Sequence, residues 1–253
     1  TPEVAATATL TPTPTLHPTV TASATPTPFQ LDFPLGKVNY RIPPIIQYLN
    51  QQAVTVFFEL DQPVKGTVLV IDESGSLVQE VAWDAETTRH TITIDRLKPG
   101  LTYQLMLVLT ETDEWTQPVF QNQAWRLECT TQTWEYPLRI GVISDASFGD
   151  AVSQYFVNEM TSADLDFVLH LGDVVDETEW GVDPYASYAE KYFTPFAPLL
   201  QQMPVYTVPG NHDYDADIRY EEAPFYFHAL REEQYYTLEY NDLRFLLLDA
   251  MTL

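Results

Sequence analysis

Three short motifs carry the side chains best suited to chemistry. Asp145 follows the run Leu138 to Ser144, Gly172-Asp173 follows Phe167 to Leu171, and Gly210-Asn211-His212-Asp213 follows Pro204 to Pro209. Runs that are apolar without alternation and too short for a helix read as strands buried on both faces. Carboxylates at the carboxyl ends of such strands lie where open α/β sheets bind their ligands. Carboxylates with an amide oxygen and a nearby imidazole make a hard-to-borderline donor set, suited to Mg, Mn, Fe or Zn. A carboxylate between two ions can bridge them. Two ions roughly 3.5–4 Å apart hold a hydroxide near neutral pH and clamp a phosphate for in-line attack.

Positioning these motifs requires a particular second half of the chain. Between the first two runs, Asp150 to Ser162 reads as an amphipathic helix with Val152, Tyr155, Phe156 and Met160 on one side. Pro184 to Met203 is a second, aromatic-rich helical stretch that Pro195 and Pro198 break. Strands alternating with helices imply a parallel sheet with crossover connections, which brings the three motifs to one edge. Tyr235 to Tyr240 and Leu243 to Leu248 read as a hairpin across Asn241-Asp242. His170 and His228 read as packing residues, and Asp249 as structural.

The first half differs. Residues 1–30 are a Thr/Pro/Ala tract with Thr-Pro repeats, unable to bury a core and expected to be disordered, polyproline-like linker. Such tracts form stalks, so a cell-surface tether is one expectation and a plain interdomain linker the other. From 31 to 135 the chain breaks into short runs rich in Val, Ile, Thr, Phe and Tyr. Gln52 to Leu60, Gly66 to Ile71, His90 to Ile94, Thr102 to Leu109 and Ala124 to Thr130 read as strands, without helical runs between them, which suggests a β-sandwich. Leu97-Lys98-Pro99-Gly100-Leu101-Thr102-Tyr103 resembles the tyrosine corner of fibronectin type III modules. The sandwich is expected to serve as a spacer or docking module. The third part runs from 136 to 253.

Composition narrows the partners. The 253 residues carry 12 basic against 36 acidic side chains, a net charge of −24, which argues against nucleic acid or an anionic membrane surface as partner. A phosphate substrate would need positive charge from metal ions rather than from this protein's side chains. The single cysteine, Cys129, forbids an internal disulfide and reads as a buried apolar residue. No transmembrane segment is expected, since no apolar stretch reaches the roughly 18 residues such a helix needs.

The order Asp145, Gly172-Asp173-Val174-Val175-Asp176 and Gly210-Asn211-His212-Asp213 resembles the calcineurin-like metallophosphoesterases. With the preceding sandwich, the chain looks most like the purple acid phosphatase branch. The resemblance implies a multidomain fold: an all-β fibronectin-like sandwich, then the N-terminal part of an αββα sandwich. It implies two divalent or trivalent ions (Fe, Zn, Mn or Mg) and a phosphate-ester substrate. Phosphomonoesters are favoured over phosphodiesters, with acid phosphatase activity in a secreted or cell-surface protein. By resemblance Asp145 ligates the first metal, Asp173 bridges both, Asn211 ligates the second, and His212 lies beside the phosphate as the catalytic residue. Two positions depart from the pattern. Ser147 stands where many relatives have a histidine, and Asp176 stands where the purple branch has its metal-bound tyrosine. Asp176 itself is a further candidate ligand, with a supporting or capping role as its alternative. The family closes its site with later histidines, and none follows His228. The expectation is therefore a truncated chain of low activity. The competing expectation is a non-catalytic cell-surface binding protein with a degenerate phosphoesterase domain.

Overall fold

Strands that alternate buried and outward side chains, with β2 buried throughout, organise the first half into two antiparallel sheets. The computed structural model describes residues 38–84, 87–112, 118–133, 137–146, 151–175, 187–214, 236–240 and 242–249. The chain divides into Thr1–Pro34, outside the described residues, and Leu35–Leu253. Seven strands come first: β1 (Tyr40–Leu49), β2 (Val54–Leu60), β3 (Lys65–Asp72), β4 (Leu77–Trp83), β5 (Arg89–Ile94), β6 (Thr102–Thr112) and β7 (Pro118–Thr130). They form sheets of order β1-β2-β5 and β4-β3-β6-β7. Val54, Val56, Phe58 and Leu60 of one sheet pack with Val68, Val70, Leu105 and Leu107 of the other. The Tyr103 hydroxyl accepts the Lys98 N–H at 2.9 Å, closing the corner expected from the sequence. Cys129 is buried in this core, and burial pushes its thiol up to about 12.

Two strands were not evident in the sequence. β1 contains Pro43-Pro44, and its register against β2 shifts between Ile42 and Ile45; proline is tolerated there because β1 is an edge strand. β4 is also an edge strand, and most of its side chains face outward or are half-buried.

The second half has β8 (Ile140–Ile143), α1 (Ala151–Ser162), β9 (Phe167–His170), a π-helical turn (Ala189–Phe193), α2 (Ala197–Leu200) and β10 (Val205–Thr207). These are followed by a 3-10 turn (His212–Tyr214), β11 (Tyr236–Tyr240) and β12 (Leu243–Leu247). β8, β9 and β10 form a parallel sheet with β9 in the centre, Val168 pairing with both Gly141 and Val205. β9 alternates between two covered faces. Phe167 and Leu169 meet the β11–β12 hairpin through Leu238, Tyr240 and Phe245, whereas Val168 packs on the helical side. Cover on both faces is the reason the run is apolar throughout.

Helix α1 presents a different face from the one its apolar residues suggested. Val152, Tyr155 and Phe156 are exposed, while Ser153 and Val157 are buried and Met160 is partly so. Polar contacts accompany this rotation: the Ser153 hydroxyl donates to the Ala146 carbonyl, and the Gln154 amide donates to the Pro195 carbonyl. The second helical stretch is interrupted at Thr194–Phe196, and Pro198 falls in the first turn of α2, where its missing N–H costs nothing.

One face of the sandwich packs on the second half. Ile42, Ile45 and Phe57 point away from the sandwich core and share a buried cluster with Val157, Val168, Tyr188, Tyr192, Phe196 and Leu199. Sheet β1-β2-β5 is thereby covered on both sides, and all seven residues of β2 are buried. No helix among the described residues is long and apolar enough to cross a membrane.

Candidate metal centre

The three strand ends of the parallel sheet meet through their backbones. The Asp145 N–H donates to the Gly172 carbonyl at 3.2 Å, joining the turn after β8 to the turn after β9. A Cβ on Gly172 would lie 2.7 Å from both Cα and N of Gly210, and a Cβ on Gly210 would lie 2.3 Å from Oδ1 of Asp173. Only glycine at both positions lets the turns after β9 and β10 approach this closely. Gly172 has φ 102°, Asp173 51° and Asp145 53°. Left-handed backbone at a non-glycine residue costs on the order of 1–3 kcal/mol and clusters at functional sites. Arg96 is the other such residue among those described, so two of the three lie here.

Asp213 ties the turns together. Its Oδ1 accepts the N–H groups of Val174 and Val175, and its Oδ2 accepts that of Gly210. Burial pushes this carboxyl up to about 6, and the Asp173 charge adds to the rise, while the three backbone N–H groups oppose it. In return, Oδ1 of Asp173 accepts the His212 N–H at 3.0 Å. Asp145 and Asn211 are exposed, Asp173 and His212 half-buried. Beneath them, His170 is fully buried against the rings of Tyr192 and Phe196, and neither ring nitrogen has a hydrogen-bond partner among the described residues. Burial pushes its imidazole down to about 4, opposed by the Asp145 charge.

Of the residues singled out from sequence, Asp145, Asp173, Asn211 and His212 thus sit on adjoining turns at one sheet edge, whereas Asp176, Ser147 and His228 lie outside the described residues. Asp249, read as structural, is buried after β12. Among the described residues no three His, Cys, Asp or Glu side chains form a group that could hold a metal ion. Asp145, Asp173 and Asn211 offer two carboxylates and an amide. That set suits a hard divalent cation that retains water, as Mg²⁺ does when held by one or two carboxylates. The cross-link by Asp213 was not legible in the sequence; its one signal is an acidic residue directly after Asn-His.

Residues 138–250 match the model of the calcineurin-like phosphoesterase family. No curated protein matches the chain. Several solved structures resemble it. A redesigned β-sandwich protein is 18% identical, covering 37% of this chain and 97% of its own, at a TM-score of 0.28. The fn3 domain of human collagen alpha-1(XX) is 15% identical, covering 40% of this chain and 82% of its own, at 0.27. A β-glucuronidase of Parabacteroides merdae is 11% identical, covering 79% of this chain and 33% of its own, at 0.38. The mostly β-sheet N-terminal half is therefore followed by a region that matches the metallophosphoesterases, over the same residues that carry the adjoining turns.

Proposed function

We propose that the protein is a metal-dependent phosphoric ester hydrolase whose centre is built on the turns after β8, β9 and β10. The observation that carries this reading is the backbone contact of Gly172 with Gly210, which holds Asp173 beside Asn211 and His212. Asp145 and Asp173 would hold one ion, and Asp173 and Asn211 a second, with Asp176 a further candidate donor. Bound ions supply the positive charge that a chain of net charge −24 lacks and acidify water near neutral pH. The rest falls to the protein. The Asp173 carboxylate is kept in register by the His212 N–H. The His212 ring, on the residue whose backbone N–H bonds Asp173, would orient the phosphate and protonate the leaving oxygen.

The finer reading is a purple acid phosphatase-like enzyme acting on phosphomonoesters outside the cytoplasm, tethered by the Thr/Pro-rich tract. The tyrosine corner and the two-sheet sandwich ahead of the parallel sheet favour that branch. The second reading, a non-catalytic binding protein, is favoured by Ser147 in place of the family's histidine. Hydrolysis of p-nitrophenyl phosphate and bis(p-nitrophenyl) phosphate, with Mn²⁺, Zn²⁺, Fe³⁺ or Mg²⁺ supplied, separates the readings. Turnover that Asp173→Asn abolishes supports the enzyme. Absence of product from both esters with every metal, together with metal-free protein on elemental analysis, overturns it.

A further inference from the structure

Asp213 ligates nothing in the proposed centre, yet its carboxylate touches both of the turns that carry Asp173 and Asn211. Oδ1 accepts the N–H groups of Val174 at 2.9 Å and Val175 at 3.1 Å, and Oδ2 accepts that of Gly210 at 2.7 Å. The reverse bond, from the His212 N–H to Oδ1 of Asp173, makes the link reciprocal. Only 3% of Asp213 is exposed, so water does not compete for these donors. Close packing of Gly172 on Gly210 sets how near the turns come, but contact alone has little directionality. Hydrogen bonds fix direction. Three N–H donors on one carboxylate are charge-assisted, and an amide in its place has one acceptor oxygen and turns an NH₂ toward the remaining donor. Oδ2 of Asp173 makes no hydrogen bond among the described residues, which leaves that oxygen for a cation.

We propose that Asp213 is a positioning residue that staples the turn after β9 to the turn after β10 and so sets the spacing of Asp173 and Asn211. The inference rests on the metal-centre reading above, and its test separates the two. Amide hydrogen exchange on metal-free protein reads the staple directly. The N–H groups of Val174, Val175 and Gly210 exchange slowly in the wild type and at least tenfold faster in Asp213→Asn, while the amides of β2 and β6 are unchanged. Calorimetric titration with Mn²⁺ reads the consequence. Outer partners of metal ligands typically contribute 10–100-fold in metal affinity, and the same loss is expected of folded Asp213→Asn. A residue that served stability alone would lower the melting temperature and leave that affinity intact. Rapid exchange of the three amides in the wild type overturns the staple, even if Asp213→Asn does not fold. Unchanged exchange in the variant overturns it equally. Faster exchange with unchanged Mn²⁺ affinity overturns the positioning role. Wild-type protein that binds no Mn²⁺ overturns the metal centre, while the exchange at the three amides still decides the staple.

Discussion

Burial of His170 gives the protein a pH dependence of definite sign. The ring has no solvent exposure and, among the described residues, no hydrogen-bond partner, and Tyr192 and Phe196 lie against it. Its pKa falls from 6.5 to about 4, chiefly through burial. As pH drops below 6.5 the unfolded chain takes up this proton and the folded protein does not. The stability conferred by a neutral ring is therefore complete above that pH and is lost as pH falls toward 4. Linkage at 1.36 kcal/mol per pH unit gives about 3 kcal/mol across the whole window and about 2 kcal/mol by pH 5. Asp213 works in the opposite direction. Its carboxyl titrates at about 6 when folded against 3.8 for a free side chain, so acidification through pH 6 adds stability. The decisive quantity is thus the difference between wild type and His170→Leu, in which the groups that do not interact with the His170 ring, Asp213 among them, cancel. Leucine has comparable bulk and removes two unpartnered nitrogens, so the variant is expected to fold. Urea unfolding followed by tryptophan fluorescence, with chelator present, should show the wild type losing about 2 kcal/mol relative to the variant between pH 7 and pH 5. Parallel stability profiles for the two proteins over that interval would refute the reasoning.

Three further expectations follow from particular contacts. Gly210→Ala places a methyl group 2.3 Å from Oδ1 of Asp173 and should weaken Mn²⁺ binding at least tenfold by calorimetry; Gly75→Ala, at φ +79° in open space, should leave binding unchanged at a cost of roughly 1 kcal/mol in stability. Phe57→Ala, at a site 2% exposed, should cost about 3–5 kcal/mol, and fluorescence and circular dichroism should report one common unfolding transition. Two separated transitions would mean that the sandwich folds independently. Iron-loaded protein should lack a tyrosinate charge-transfer band, because Asp176 stands three residues after Asp173; a purple colour would contradict this.

What the sequence disclosed, and what it withheld, follow from the range of the interactions involved. β2, β3, β5, β6 and β7 were legible because their apolar residues alternate or run together within a few positions, and the Lys98–Tyr103 bond spans only five residues. That β8, β9 and β10 run parallel was legible because helical runs separate the strands. β1 was hidden by Pro43-Pro44, which an edge strand tolerates. The buried face of α1 was misread because hydrophobicity alone pointed to Val152, Tyr155 and Phe156, whereas the helix buries Ser153 and Val157. Asp213 reaches Val174 across 39 positions, and no local pattern encodes such a bond. The left-handed backbone at Asp145 and Asp173 was equally hidden, since that conformation is ordinarily the province of glycine.

The sandwich and the turns after β8, β9 and β10 are joined by continuous packing. Ile42, Ile45 and Phe57 bury their side chains on the helical layer, and Tyr192 and Phe196 of that layer lie against His170, three residues before Asp173. Three large apolar side chains buried in this way contribute roughly 5–9 kcal/mol, on the scale of the whole net stability of a domain. The strands they brace are short, with four residues each in β8 and β9 and three in β10. Short parallel strands have few ladder bonds with which to resist displacement of their ends, and the turns they carry hold strained residues that persist only when their surroundings over-determine them. The outer face of sheet β1-β2-β5 supplies part of that determination. A sequence can separate the two halves by composition, but the placement of Asp173 depends on packing that crosses between them.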